Sequence, residues 1–529
     1  MNDEEKLWRF FHLGTLVGIY RPGSRQIEDS DADVIRRLIE NGQCIKIIEY
    51  MRRASQKCLK FYPIAYALAL CARDKRKKVS KLAYEALPDI CRKPTQLFRF
   101  LSFCRTRFNC RGWPRSHRKA IAAWYTENQQ YRNNPRKLAL HVTKYKRRHK
   151  LYQKRVIKAC HPKPPDETFR YIFRFVTKGI GKADKINADE KDFEIVKGYI
   201  SAVNSIKKKH KREEMEDIIE AIHKWKVPWE VIPTKQLKEP EIWRALLHQK
   251  MPMTAMIRNL GRMSRLELFK PKSREEQIVC SRLRTVDSLE STHPIQILGA
   301  FAAYIRGRGL RNDSMHTWEV NREIERALLD SYHLSSARHS ERMQSKVLIA
   351  IDVKMEMDFH TLGIPSMSCK EAAIALSLLF GSIFEVETIS FYKSARTVSL
   401  DQPSGELFDT DFSDNHSDHG ETNYSVPFRY AEEKKFEILL LLTDTLEPKE
   451  IKKIRRSFRK MKQSNTARYK KCVVVCFKNS RPASEPGNNS MLDVVGVDEH
   501  AVEVIKDFIQ DYQKEMRDIT GGQNIVYDG

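Results

Sequence analysis

Between Asn128 and Pro165 the chain carries twelve Lys or Arg and no Asp or Glu. A surface of one sign repels itself unless an anion neutralises it. Phosphate suits such a surface, because each phosphate that is neutralised releases condensed counterions. Within the stretch, Lys137, His141, Lys144 and Arg148 recur at spacings of three and four residues. At about 100° per residue they share one narrow helical arc, beside an apolar arc of Leu138, Val142 and Tyr145. The pattern predicts a helix that docks on one side and aims a basic row outward. Lys146, Arg147, Lys150, Lys154, Arg155 and Lys158 extend the field around that row. Arg174, Lys178 and Lys182 in RFVTKGIGK form a second, weaker patch. Its Gly-x-Gly is not followed by the Lys-Ser/Thr of a phosphate-cradling loop.

The whole chain has the same bias. Its 529 residues carry a formal charge of +27, with 41% hydrophobic and 31% charged residues. The pI near 9.5 favours a nucleic-acid partner over an anionic membrane. No apolar run reaches the ~18 residues of a membrane span. The opening MNDEEKLWRFF has neither the basic nor the apolar region of a signal peptide. Eleven cysteines are scattered without a Cys-x-x-Cys. Most sit in apolar runs, such as Cys71, Cys472 and Cys476, so they read as buried free thiols in a reducing cytosol. KKKHKR (207–212) has the composition of a nuclear import signal, although two Glu follow at once.

Two textures divide the chain near residue 343. Up to there, short amphipathic helices follow one another with little strand signal. Examples are PIAYALALCA from Pro63, SKLAYEAL from Ser80, Arg118–Tyr125, Phe193–Ile206, Met215–Trp225, Ile242–His248, Pro294–Tyr304 and Ile324–Tyr332. Such a series suggests helix pairs stacked as a HEAT-like solenoid. From 344 on, apolar β-branched runs alternate with helices: KVLIAIDV (346–353), the Ser368-capped helix to Gly381, FEVETISF (384–391), FEILLLLTD (436–444), the basic KEIKKIRRSFRKMK, KCVVVCF (471–477) and a closing AVEVIKDFIQDYQ. Alternation of this kind predicts an open, mainly parallel sheet covered on both faces. Sites in such folds gather at the carboxyl ends of strands, where Asp352 and Asp444 can meet. Residues 400–425 hold seven acids and no Lys or Arg, and read as a solvated loop. His416 and His419 within it lack metal-ligand spacing.

At this point the chain resembles the Ro 60-kDa autoantigen family, the TROVE-domain RNA-binding proteins. The resemblance rests on FYPIAYALALCA, ICRKPTQLFRFLSF, RKAIAAWY, LALHVTKYKRR, FVTKG, EIWRALL, MPMTAMIRNLGRM and THPIQILGAFAAYIRGRGLR. In the second half VLIAIDV, LLLLTD and MLDVVGVD are similar to the family's von Willebrand factor A domain. The resemblance implies residues 1–343 as a ring of HEAT-like repeats and 344–529 as a Rossmann-like α/β A domain. It implies Y-like RNA on a basic outer surface and 3′ ends of misfolded noncoding RNAs in a central hole, in RNA quality control. It also implies an exoribonuclease or other RNA-processing protein as partner, no membrane, and a cytoplasmic, in part nuclear, location. The family's RNA-contacting positions match Lys144, Arg148 and His161. Arg258 and Asn259 in MIRNLGRM match a motif near the hole. His293, beside Pro294, reads as orienting a helix start.

A domains of this type often hold a divalent cation through Asp-x-Ser-x-Ser, a distant Thr and a distant Asp. Here Asp352, Thr422 and Asp444 match, but Lys354 and Glu356 replace the two Ser residues. A Lys ammonium brings no lone pair to a cation. The site is therefore expected to be degenerate, with Mg²⁺ weak or absent and Lys354 acting as an internal counter-ion. Glu356 offers a substitute carboxylate. No Ser-His-Asp order, phosphate loop or nuclease carboxylate cluster can be assigned, so no cofactor-driven enzyme is expected. The alternative function is a protein-interaction scaffold built on helical repeats and an A domain.

Overall fold

The computed structural model describes residues 2–510 except 17–18, 24–26, 58–59, 111, 208–214, 291, 310–315, 340–344, 401–420, 464–470 and 486–487. The KKKHKR segment after Lys207, and most of the acidic segment with His416 and His419, lie outside the described residues. Two compact units form: residues 32–251, and residues 1–31 together with 252–529. The change of texture at 343/344 is a change of secondary-structure class. Compaction follows a different cut.

The 32–251 unit is built of helices. Phe61–Ala72 is apolar on almost every side and buried from Tyr62 to Ala69. It packs on Cys44–Lys57, Lys77–Glu85 and Pro94–Thr106. Further along, Arg115–Thr126 packs on Gln153–Cys160, which in turn packs on Glu167–Lys178. Pro135–Lys144 packs on Lys191–Ile206. Each helix thus meets near neighbours in sequence, as in a solenoid whose repeats bury one another's apolar faces. Gly198 marks the closest approach, because a Cβ there would overlap the Trp225 indole. Inside this unit a two-stranded hairpin, β1 (Arg147–Arg148) and β2 (Leu151–Tyr152), interrupts the helices.

The second unit holds a six-stranded sheet. Its strands are β3 (Lys346–Asp352), β4 (Glu385–Phe391), β5 (Ala395–Thr397), β6 (Ile438–Thr445), β7 (Lys471–Asn479) and β8 (Met491–Val495). The order is β5-β4-β3-β6-β7-β8, with only the edge strand β5 antiparallel. β3 is buried from Val347 to Asp352, as a central parallel strand must be. Helix Cys369–Ile383 starts with the expected Ser368 cap, which the structure extends to a capping box: Ser368 and Glu371 bond each other's backbone N–H. Helices Pro294–Ile305 and Arg322–His339 pack on it.

The N-terminal segment joins the same unit. Tyr20 pairs with Val494 beside β8: its N–H donates to the Asp493 carbonyl at 3.0 Å, and Val495 N–H donates to the Tyr20 carbonyl at 2.8 Å. Arg9 donates to the carbonyls of Asn488 and Met491. His12 stacks between Trp8 and His500. Residues before 32 therefore cover an edge of the sheet, which removes an unpaired strand from solvent.

Candidate nucleic-acid interface

The helix that carries the first cations is Pro135–Lys144. Asn134 caps it, its side chain accepting from Lys137 N–H at 3.1 Å, and Pro135 fills the first turn. Leu138, Ala139 and Val142 are buried, as the apolar arc requires. The helix then stops at Lys144, earlier than the predicted basic row needs. Five of the seven residues from Lys144 to Lys150 are Lys or Arg. Continuing the helix would stack like charges at three- and four-residue spacing. Instead the chain turns into the β1–β2 hairpin, pairing Arg147 with Tyr152 and Arg148 with Leu151. Its turn residues His149 and Lys150 have φ of 50° and 60°. Two left-handed residues suit the right-handed strand twist of a two-residue hairpin but are strained without glycine.

Gln153 fastens the hairpin to the core. Its side-chain oxygen accepts from Tyr125 OH at 2.6 Å, and its N–H donates to the Lys146 carbonyl at 3.1 Å. Helix Gln153–Cys160 follows and ends at His161, which is left-handed at φ 48°. His161 is exposed and precedes Pro162.

The proposed contacts thus sit on three different elements. Arg148 projects from the hairpin and is exposed, so it is not on the helix with Lys144. Lys137 is half-buried on the helix. His141 corrects the expected row: it is buried, with its Nδ1 3.0 Å from Tyr131 OH. Burial, and then the charges of Lys137, Lys144 and Lys93, push its pKa down to about 4. It is a neutral core residue and cannot face a nucleic acid. The reason is angular, because His141 lies on the side that meets the Tyr131 segment.

Lys144 is paired: its Nζ is 2.7 Å from Glu230 Oε1, on the short turn Trp229–Val231. Burial opposes the ammonium, but the hydrogen bond and charge of Glu230 outweigh it and hold the pKa above the usual lysine value. Lys207 lies against Lys146. Burial, then the like charge, pushes its pKa down to about 7.

Two residues of interest were not visible as such. Tyr152 is 44% exposed, with the Arg147 guanidinium 4.9 Å from its ring centroid. An exposed ring beside an arginine is a stacking platform for a base. Its only sequence signal is an aromatic inside a basic run. Glu230 lies 86 positions from Lys144 and gave no local signal.

A second locus lies in the other unit. Arg258 and Asn259, predicted together, border a groove of about 630 Å³ also lined by Arg262, Arg265, Gln296 and Trp318. Arg258 is exposed, whereas the buried Asn259 amide donates to the Ala255 carbonyl at 2.8 Å. Asp498 and Glu499 line the same groove, so it is mixed in charge. His293 does orient a helix start, its Nδ1 accepting from Ile295 N–H at 3.2 Å.

At the strand ends of the A domain, Asp352 and Asp444 meet as expected, with Lys354 between them. The ammonium is 2.6 Å from Asp444 Oδ1 and 3.8 Å from Asp352 Oδ2. Thr422 Oγ1 donates to Asp352 Oδ1 at 3.4 Å. Glu356 does not join them. It is exposed on the turn Met355–Asp358, because the chain leaves the site directly after Lys354. Among the described residues no group of three His, Cys, Asp or Glu is arranged to hold a metal.

A helical-repeat unit with an acid-free basic segment, in a chain that also carries a parallel-sheet A domain, is a helical-repeat/A-domain protein. The TROVE domain family model matches residues 9–357 and the Ro60 vWA domain model matches residues 346–509. The chain belongs to the TROVE-domain family and carries the Ro60-type A domain. It is 27% identical to the RNA-binding protein RO60 of Caenorhabditis elegans, over 96% of this chain and 88% of that one. It is also 27% identical to RNA-binding protein RO60 of Deinococcus radiodurans, over 72% of this chain and 68% of that one. The crystal structure of the Deinococcus radiodurans RO (RSR) protein shares the fold, with a TM-score of 0.78 at 24% identity, over 96% of this chain and 99% of that one. Among the described residues, no helix is long and apolar enough to cross a membrane.

Proposed function

We propose that this chain is a noncatalytic RNA-binding protein. It carries a small structured, Y-like RNA on the basic face of the 32–251 unit. It takes single-stranded 3′ ends of misfolded noncoding RNAs at the groove bordered by Arg258 and Asn259, in RNA quality control. An exoribonuclease or other RNA-processing protein is the protein partner this role calls for, in the cytoplasm and in part the nucleus. The observation that carries the reading is the run of exposed cations from Lys146 to Lys158 with no acid inside it, next to the exposed ring of Tyr152. The RNA-binding names of the relatives support it. Lys144, Arg148 and His161 are the proposed contacts, with Lys137 at the margin. Recognition would rest on shape, phosphates and unstacked bases rather than on groove-edge readout.

The test is a gel-shift titration with a structured small RNA. Lys144→Ala with Arg148→Ala should lower affinity by about tenfold or more, because tenfold is only about 1.4 kcal/mol and two charge-assisted contacts supply more. The melting temperature should hardly move. Affinity should fall with salt at roughly 0.7 to 0.9 log units per phosphate contact. Weak, salt-insensitive RNA binding would instead favour the protein-scaffold reading.

A further inference from the structure

The A-domain site is well bonded without a metal. Lys354 extends from the end of β3 with its side chain only 16% exposed, between Asp352 at 0% and Asp444 at 2%. Its ammonium forms an ion pair with Asp444 Oδ1 at 2.6 Å and donates to the Thr445 carbonyl at 3.1 Å and to Tyr424 OH at 3.3 Å. Tyr424 OH in turn donates to Asp352 Oδ2 at 2.8 Å, as does Thr443 Oγ1 at 2.8 Å. Asp352 Oδ1 accepts from Lys354 N–H at 3.2 Å and from Thr422 at 3.4 Å. Both oxygens of Asp352 are therefore already engaged, and Asp444 Oδ1 faces the ammonium alone. A divalent ion needs oxygens at about 2.0–2.6 Å, so on Asp444 it would occupy the space of the ammonium. Glu450 is the other charged group that acts on Lys354, and its carboxylate accepts from Glu447 N–H at 2.6 Å. The residues present do not fit a resident divalent cation.

We propose that Lys354 is a tethered cation that permanently takes the place of a divalent ion at the strand-end site, leaving the A domain closed to metal. Tyr424 acts with it by passing a hydrogen bond from the ammonium side to Asp352. A partner that docks on this face does so without a metal bridge to its own acidic residue, and chelators leave that docking unchanged.

The experiment uses the full chain, with Mg²⁺ and Mn²⁺ as probes in calorimetric titration and thermal melting. Wild type should give no saturable heat and no Tm shift with either ion or with EDTA. Lys354→Ser with Glu356→Ser restores the Asp-x-Ser-x-Ser spacing. It should melt roughly 10 °C lower without metal, since two buried carboxylates lose their counter-ion. It should gain one saturable divalent site and recover several degrees on adding Mg²⁺. Lys354→Arg keeps the charge and should remain metal-insensitive. If the double variant does not fold without metal, recovery of folded protein by Mg²⁺ supports the proposal. Saturable Mg²⁺ binding to wild type that Asp352→Ala abolishes would overturn it. So would a double variant that folds as stably as wild type and binds no ion.

Discussion

Glu230→Gln should strengthen RNA binding, which is unusual for a substitution on a proposed interface. In the free protein the Glu230 carboxylate holds Lys144 at 2.7 Å, with side chains 29% and 32% exposed. A phosphate that recruits Lys144 must displace that carboxylate. Pairs near the surface are worth roughly 0.2–1 kcal/mol, which is the cost that Glu230→Gln removes. The carboxylate also repels a phosphate directly. At about 8 Å in water this is roughly 0.5 kcal/mol, and salt reduces it. The sum, about 0.7–1.5 kcal/mol, corresponds to a three- to tenfold gain in affinity at low salt. The plot of log K against log salt should steepen by at most about 0.7–0.9, since the carboxylate no longer offsets part of the charge that faces the RNA. The same substitution should lower Tm by no more than about 4 °C, because only a surface pair is lost. A double-mutant cycle isolates the contact. In a Lys144→Met background only the through-space part should remain, about twofold. Gel shifts at several salt concentrations provide the readout. If Glu230→Gln leaves both affinity and slope unchanged, Lys144 does not touch the RNA, and the contact must be sought at Arg148 and the hairpin.

Two further outcomes follow from neighbouring residues. Tyr152→Ala should weaken binding of RNA with unpaired bases by roughly fivefold or more, while Tyr152→Phe keeps it, because stacking needs the ring and not the hydroxyl. Burial, and then Lys146, push the Lys207 pKa down to about 7. A bound phosphate favours its charged form, so affinity is greatest below pH 7 and falls as pH rises through that value. Between pH 6 and 8 the loss should approach about tenfold, and Lys207→Met should flatten the profile in fluorescence titrations.

What could be read in the sequence was whatever repeated locally. KVLIAIDV and KCVVVCF are continuous apolar runs, and a strand buried on both faces must look like that. β8 was harder, because Asp493 interrupts MLDVV. That carboxylate is buried and accepts from the N–H groups of Ala483 and Ser484, at 2.8 and 2.9 Å, and neither contact is visible before folding. The basic row failed for a related reason. Periodicity places side chains on an arc only while the helix lasts, and this one stops at Lys144. The position of His141 against Tyr131 and the partnership of Lys144 with Glu230 both depend on how helices pack. Asp352, Lys354 and Asp444 were legible because strand ends in a parallel sheet converge by topology. The N-terminal pairing of Tyr20 with Val494 spans nearly the whole chain and had no local signature.

Two lysine–carboxylate pairs, each near 2.7 Å, have opposite consequences, and burial decides which. Lys144 and Glu230 are each about a third exposed, so water replaces either partner at little cost. Separating them costs roughly 1 kcal/mol or less, and a phosphate that brings its own charge and released counterions exceeds that. Lys354 and Asp444 are 16% and 2% exposed. Removing one partner from such a pair costs about 3–5 kcal/mol, because the remaining charge stays in a poorly hydrated place. A divalent ion that competed for Asp444 would have to meet that cost and also expel an ammonium that is covalently attached and cannot diffuse away. Its effective concentration is fixed by the tether and does not fall on dilution. The first lysine is therefore available to a ligand and the second is not, although sequence alone shows the exposure of neither pair. Exchanging the environments would exchange the behaviour. A lysine contact with RNA is expected only where its internal partner can be released, and Glu230 is the residue that sets that threshold here.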